Sequence, residues 1–155
     1  MYQPLNRISP RTNKLLIRMQ MLIFLILFSC SGKQERAFGE LSDAFLTWYF
    51  KTYPVTSTWM GIHDHDKEFG HFDKDSRIEN VADLKRFNIE LSQIDQASLS
   101  IDSRIDYLIL SSSIENMIFR ATKLKRFEWD PMIVPSVIGS GVSSLLDQEF
   151  ASMAD

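Results

Sequence analysis

The chain has 155 residues, with 17 lysines and arginines, 20 aspartates and glutamates, and a single cysteine. Four of the 17 basic residues and no acidic residue lie before Cys30, so the remaining 126 residues carry 13 basic side chains against 20 acidic ones. That length corresponds to about one domain, and its acidic balance argues against nucleic-acid binding, which needs clustered lysine and arginine. A lone cysteine excludes an intrachain disulfide.

The N-terminal segment has the layout of a bacterial secretion signal. Basic residues at positions 7, 11, 14 and 18 precede a short apolar run from Met21 to Phe28. This run is far shorter than the roughly 20 residues of a transmembrane helix, but it suits the apolar region of a signal peptide. It leads into Leu27-Phe28-Ser29-Cys30, which resembles the lipobox of lipoproteins. We therefore predict a signal peptide over residues 1–29, cut before Cys30, and Cys30 as the lipid-attachment residue.

Two other interpretations of this segment stay open. It could be an ordinary cleaved signal, or a buried N-terminal helix in which Cys30 is an inert thiol. Met19 and Met21 are alternative start residues, although either would remove the basic residues. Stable anchoring takes more than one acyl chain, which lipobox proteins carry on their cysteine. We expect a location at the bacterial cell envelope; Ser31 after the cysteine resembles the outer-membrane pattern of Gram-negative lipoproteins, facing the periplasm.

A polar tether is predicted for residues 30–36, and the pattern then becomes helical. Large apolar side chains recur on one helical face: Phe38, Leu41, Phe45, Trp48 and Tyr49. Pro54 ends this helix, because the residue before a proline avoids the helical region. Val55 to Met60 predict a short second helix, closed by Gly61. Residues 62–74 then form a polar loop.

Two longer helices are predicted next. Ser76 and Glu79 have the spacing of a capping box and predict a helix that runs to about Asp95. After a connector at residues 96–100, a long helix is predicted over roughly Asp102–Phe127. Basic residues near its end complement the helix dipole: Lys123, Lys125 and Arg126.

The last part of the chain is predicted to be interrupted. Pro131 and Pro135 punctuate it, Gly139-Ser140-Gly141 predicts a flexible turn, and a helical pattern resumes from Leu145 to Ala154. No stretch alternates strictly between apolar and polar residues, as a half-buried strand would. We therefore predict an all-α fold, an irregular array of three to four main helices after the N-terminal signal segment, in a partial domain over residues 37–155.

One loop carries residues with metal-ligand chemistry: His63, Asp64, His65, Asp66 and His71. Alternating histidine and aspartate can converge on zinc or another divalent ion. A working site also needs a rigid frame and an oriented second shell, which this loop lacks in sequence. Aspartate and glycine favour turns, so a solvated turn is the preferred interpretation, and we predict no metal site and no cofactor for this chain.

Two further groups of residues have a structural and a functional interpretation. The basic run of Lys123, Lys125 and Arg126 could contact anionic headgroups or simply complete a helix C-terminus. The aromatic residues could line a ligand groove or belong to the core: Trp48, Tyr49, Tyr53 and Trp59. We favour the structural interpretation of both groups. The chain contains no Gly-x-Ser-x-Gly and no His-Glu-x-x-His, so we predict no catalytic residue.

Several short segments resemble, in order, the opening of bacterial proteins of the "domain of unknown function 885" family. The segments are residues 41–50 (LSDAFLTWYF), 53–55 (YPV), 61–66 (GIHDHD), 104–110 (RIDYLIL), 128–131 (EWDP) and 138–139 (IG). The resemblance runs from about Glu40 to the end. Members of that family are mostly helical, several hundred residues long and often lipoproteins. Their C-terminal half carries a His-Glu-x-x-Pro-Gly-His-like motif that resembles zinc peptidases.

The resemblance implies that this chain is the lipid-anchored N-terminal portion of a metallopeptidase-like protein, inactive by itself. None of His63, His65 and His71 stands in the zinc pattern, so no catalytic residue is carried over, and zinc is expected only in a full-length parent. The implied partners are the membrane and the missing C-terminal catalytic region, without which apolar faces would stay uncovered. The alternative is a small envelope lipoprotein that acts as a helical module for a partner or ligand.

Overall fold

The computed structural model describes residues 32–146, and within them the chain is all-α, which confirms the predicted fold class. Five α-helices follow one another: α1 (residues 32–52), α2 (Pro54–Trp59), α3 (Lys74–Ser92), α4 (Ile101–Phe119) and α5 (Ile133–Leu146). The predicted signal segment and the lipid-attachment residue Cys30 lie outside the described residues, as does the chain after Leu146.

Helix α1 includes residues that the sequence analysis assigns to the tether. Residues 32–36 are helical, and two of their side chains bind the connection between α3 and α4 and the first turn of α4. The Gln34 side chain accepts a hydrogen bond from the backbone N–H of Asp95 (3.3 Å), and Glu35 accepts hydrogen bonds from Ser100 and Ser103. The tether prediction is therefore wrong for residues 32–36.

Helix α2 lies within one residue of its predicted position. Pro54 occupies the first helical position, where its missing N–H is not needed. The helix ends at Trp59, and Gly61 follows in the next turn with a φ of +82°, in the left-handed region that glycine adopts without strain. The Ser57 hydroxyl is fully buried and donates to the Ile62 carbonyl at 3.0 Å, which ties the following turn to the helix.

Helix α3 begins earlier than the capping-box prediction places it. Its N-cap is Asp73, whose Oδ1 accepts a hydrogen bond from the backbone N–H of Ser76 at 2.9 Å. Ser76 is thus inside the helix, and its hydroxyl donates to Asp73 Oδ2 at 2.6 Å. Aspartate accepts well at an N-cap, and these two hydrogen bonds hold the pKa of the Asp73 carboxyl below its usual range. The predicted role of Ser76 as N-cap is wrong for that reason.

The long helix predicted for Asp102–Phe127 is shorter than expected. Regular α-helix stops at Phe119, a π-helical segment follows over Arg120–Leu124, and Lys125 ends it in the left-handed conformation with a φ of +47°. A short 3₁₀ turn then leads towards α5. There Asp130 accepts hydrogen bonds from Arg126 and from the backbone N–H of Met132.

The predicted turn at Gly139-Ser140-Gly141 is wrong, because these residues lie inside α5. Gly141 is buried, and a Cβ atom at this position would lie 3.0 Å from Phe69 and 3.1 Å from Val55. The glycine therefore permits close packing of α5 on α2. The neighbouring glycine and serine suggest a flexible turn, but the segment is helical. Pro135 lies in the first turn of α5, where proline is tolerated.

The hydrophobic core lies between α1, α3 and α4. Its most buried side chains come from these helices and from the turn that joins the last two: Phe38, Leu41, Phe45, Leu84, Phe87, Leu91, Ile94, Leu99 and Ile114. The Phe45 and Phe87 rings meet edge to face with centroids 5.4 Å apart, a favourable aromatic geometry. Helix α5 packs mainly on α2, beside this three-helix bundle. The molecule thus has a bundle and an attached helix pair.

Candidate functional site

The loop with potential metal ligands forms two separate side-chain pairs. His63 Nδ1 lies 3.0 Å from Asp66 Oδ2, and His65 Nδ1 lies 3.5 Å from Glu68 Oε1. Asp66 also accepts a 2.6 Å hydrogen bond from the hydroxyl of the buried Thr58. Asp66 therefore joins this turn to α2.

The predicted ligand candidates do not form one cluster. Asp64 is exposed, and His71 lines a groove elsewhere on the molecule. Across residues 32–146 no group of three or more histidine, cysteine, aspartate or glutamate side chains could hold a metal ion. The arrangement supports a structural role for the His63–Asp66 contact.

The sequence predicts either a core or a groove position for four aromatic residues, and in the structure they differ in position. Trp48 packs against the core, and its indole N–H donates to Asp83 Oδ2 at 3.0 Å. Tyr49 also packs against the core, and together with Tyr53 it lines a groove. Trp59 is 75% exposed. Burial raises the pKa of the Tyr53 hydroxyl, with a smaller contribution from Tyr49, so this groove residue is neutral at neutral pH.

The groove has a volume of about 610 Å³ and lies between the bundle and the attached pair α2–α5. Its walls come from α1, α2, the following loop, α3, α4, the π-helical segment with the connection after it, and α5. We call it the aromatic groove, after the residues that give it its character: Tyr49, Tyr53, Phe69, Phe72 and Phe127. Aliphatic side chains complete the walls: Val81, Leu84, Met117, Ile133 and Val137. It has the size and apolar lining of a ligand site.

Four cationic residues also line the aromatic groove: Arg77, Arg120, Lys125 and Arg126. Two of them are neutralised, since Lys125 Nζ lies 3.3 Å from Glu128 Oε1 and Arg126 forms an ion pair with Asp130. The Asp130 carboxyl has a lowered pKa, mainly because of the hydrogen bond from Arg126. These two contacts fold the α4–α5 connection, in agreement with the structural interpretation of the basic run.

The other two cations have no carboxylate partner within the described part of the chain. Arg77 donates to the Phe72 carbonyl, and its guanidinium lies over the Phe127 ring, 4.9 Å from the centroid. Arg120 starts the π-helical segment and lines the same groove. Sequence reasoning missed both residues, and no spacing signal joins positions 77 and 120, because the helix packing alone brings them to one groove.

Helix α4 presents apolar side chains on two opposite faces. Its inner face packs in the bundle through Tyr107, Leu110, Ile114, Met117 and Ile118. Its outer face, which we call the α4 face, consists of Ile101, Ile105, Leu108 and Ile109, which are 52–75% exposed. A contiguous apolar stripe on a helix is normally covered by another surface. The α4 face is therefore a candidate contact surface.

Comparison of the chain with protein-family models, with curated proteins and with solved structures finds no match. In residues 32–146 no helix is both long and apolar enough to cross a membrane.

Proposed function

We propose that this chain is a lipid-anchored helical region at the bacterial cell envelope, and that its α4 face packs against a metallopeptidase-like region. The observation that carries the proposal is the two-sided apolar character of α4. Isolated exposed hydrophobic residues are ordinary. Four of them on adjacent turns of one helix form a continuous exposed apolar patch, which commonly marks an interaction surface. By itself the helical region has no assigned catalytic group and is inactive.

The family resemblance supports the same partner. One of its segments, residues 104–110, lies within α4 and contributes to both the inner and the outer face, including Ile105 and Leu108. In a protein of several hundred residues, such a segment would be enclosed on both sides. Zinc and the catalytic residues belong to the other region in this proposal.

The anchor is proposed from the N-terminal motif. Cys30 would carry the lipid, and helix α1 is helical from residue 32 onward. We expect Cys30→Ala to move the full-length protein from the membrane fraction to the soluble fraction and to abolish its labelling by a radioactive lipid precursor. Ser31→Ala is the matched control, because it leaves the proposed acceptor thiol intact. Unchanged labelling of the Cys30→Ala variant would contradict the anchor.

The contact role of the α4 face can be tested by introducing charged residues into it. The protein without its partner should self-associate as its concentration rises, and Ile105→Glu with Ile109→Glu should suppress this association while helicity is retained. Analytical ultracentrifugation and circular dichroism measure the two effects. Ile114→Glu is the contrasting variant, since Ile114 is 1% exposed and burying an unpaired charge should unfold the bundle. Equal association of the double variant and the wild type would refute the contact role.

A second candidate function is an independent envelope lipoprotein that acts as a binding module. The aromatic groove favours it, because a groove of this kind needs no further domain to take a ligand. Reading the genomic DNA beyond the codon for Asp155 separates the candidates. An open frame that encodes a His-Glu-x-x-Pro-Gly-His-like motif supports the first, and a stop codon supports the second.

A further inference from the structure

We infer that the aromatic groove binds a long-chain carboxylate, the anion of a fatty acid, with its head group at Arg77 and Arg120. This inference does not depend on the proposed peptidase partner or on the lipid anchor. It rests on two features of one groove: apolar walls that accept a hydrocarbon chain, and two cations without an acidic partner.

The walls of the groove suit a hydrocarbon chain. Aromatic rings from α1 and from the loop before α3 face aliphatic side chains from α3, α4 and α5, such as Leu84, Met117 and Val137. A volume of about 610 Å³ lies within the ~300–1,000 Å³ range of small-molecule pockets. Removing an alkyl chain from water is favourable for each methylene group that becomes buried. The tail would therefore supply most of the affinity.

The charges of the groove suit an anionic head group such as a carboxylate. Glu128 and Asp130 already neutralise Lys125 and Arg126, which leaves the guanidinium groups of Arg77 and Arg120. A guanidinium group presents parallel N–H donors that match the two oxygens of a carboxylate. Arg77 is held in place by the Phe72 carbonyl and the Phe127 ring. Ordering the Arg77 side chain on ligand binding therefore loses little conformational entropy, because these contacts already fix the side chain in the free protein.

A single-chain carboxylate fits better than a phospholipid. A diacyl phospholipid would bring two hydrocarbon chains, whereas the aromatic groove has a volume of about 610 Å³, within the range for a single small molecule. Tyr53 adds a neutral hydroxyl to the wall, since burial raises its pKa. A neutral phenol can donate a hydrogen bond to an anion without repelling it.

The test uses the full chain and oleate below its micelle concentration, with calorimetry as the measure of affinity. We expect Arg120→Gln to weaken oleate binding roughly tenfold, the effect of losing one hydrogen bond to a charged group. Arg36→Gln is the matched control, because Arg36 is an exposed arginine at the opposite end of α1 and does not line the groove. Its affinity should stay within about twofold of the wild type. Oleyl alcohol, which has the same tail without the charge, should bind at least as weakly as oleate binds to the Arg120→Gln variant.

A second measurement locates the ligand and does not depend on any variant that could unfold. A palmitate analogue with a diazirine in its tail should crosslink to groove residues such as Met117 and Val137, as identified by mass spectrometry. Crosslinking confined to Met21–Phe28 or to the α4 face would overturn the inference. So would equal binding of oleate and oleyl alcohol, no loss of affinity in Arg120→Gln, or no binding of oleate by the wild type.

Discussion

The three-helix bundle and the α2–α5 pair are held together by different kinds of contact. The bundle buries large side chains, among them Leu84, Phe87 and Leu91, each at most 2% exposed. The buried residues of the pair are small or polar, among them Ser57, Thr58 and Gly141. Burial of large apolar groups dominates stability, so the bundle should determine global unfolding. The pair should open at a lower free energy than the bundle, as weakly packed regions do.

The largest expected effect comes from removing a core ring in the bundle. Phe87→Ala should reduce the free energy of unfolding by about 3–5 kcal/mol, because it removes buried surface and leaves a cavity. Urea titration followed by circular dichroism measures the change. Ile89→Ala, two residues away and 59% exposed, is the control and should change stability by no more than about 0.5 kcal/mol. A similar loss in both variants would show that the bundle is not the stabilising unit.

A medium effect is expected where α5 approaches α2. Gly141→Val should force the helices apart at a cost of about 1–3 kcal/mol, because even a Cβ atom would lie 3.0 Å from Phe69. Hydrogen exchange should become faster in α5 while α3 keeps its protection. Gly139→Ala is the matched control in the same helix, since no atom lies within 4 Å of a Cβ there. That variant should stabilise the helix by about 1 kcal/mol, and faster exchange in it would contradict the close-packing argument.

The smallest expected effect on stability comes from Glu35, near the start of α1, and it depends on pH. Hydrogen bonds from Ser103 and then from Ser100 lower the pKa of Glu35 from its ordinary value of 4.5. A lowered pKa means that the folded state favours the carboxylate. The contribution is therefore present at neutral pH and is lost as the pH falls from about 4.5 through the lowered pKa.

The Glu35 contribution can be measured by comparing acid titrations. Glu35→Gln should be slightly less stable than the wild type at pH 7, and the difference should shrink towards pH 3. Glu40→Gln is a suitable control, because Glu40 is an exposed residue of the same helix. A constant difference between pH 7 and pH 3 would exclude the ionised carboxylate as the source of the effect.

The sequence indicates the bundle better than the helix pair. The apolar spacing of Phe38, Leu41 and Phe45 correctly identifies the inner face of α1, because helical periodicity reports burial directly. The same reasoning fails at Gly141, where local propensity favours a turn but close packing against Phe69 leaves little room for a side chain. Propensity is a weak signal that tertiary contacts override.

The remaining errors have the same origin in contacts between distant residues. Glu35 and its partner Ser103 are 68 positions apart, so nothing local distinguishes the start of α1 from a tether. At the start of α3, Asp73 and Ser76 are both good capping residues, and only the observed hydrogen bonds decide between them. The aromatic groove depends on the packing of elements from all parts of the described chain. Tyr49 and Tyr53 are candidate groove residues from the sequence, but no sequence pattern marks Phe69, Phe72 and Phe127, which helix packing brings to the same groove.

The Glu35 contacts also have a mechanical consequence under the proposed anchoring. Only Ser31 would separate the acylated Cys30 from helical residue 32, and the two residue steps from Cys30 to residue 32 span at most about 7 Å. A pulling force on the lipid would reach the first turn of α1 almost directly. Through Glu35, Ser100 and Ser103, the load would be shared with the start of α4. Two helices of the bundle would then resist the force in parallel, and the domain would be held close to the bilayer with a restricted orientation.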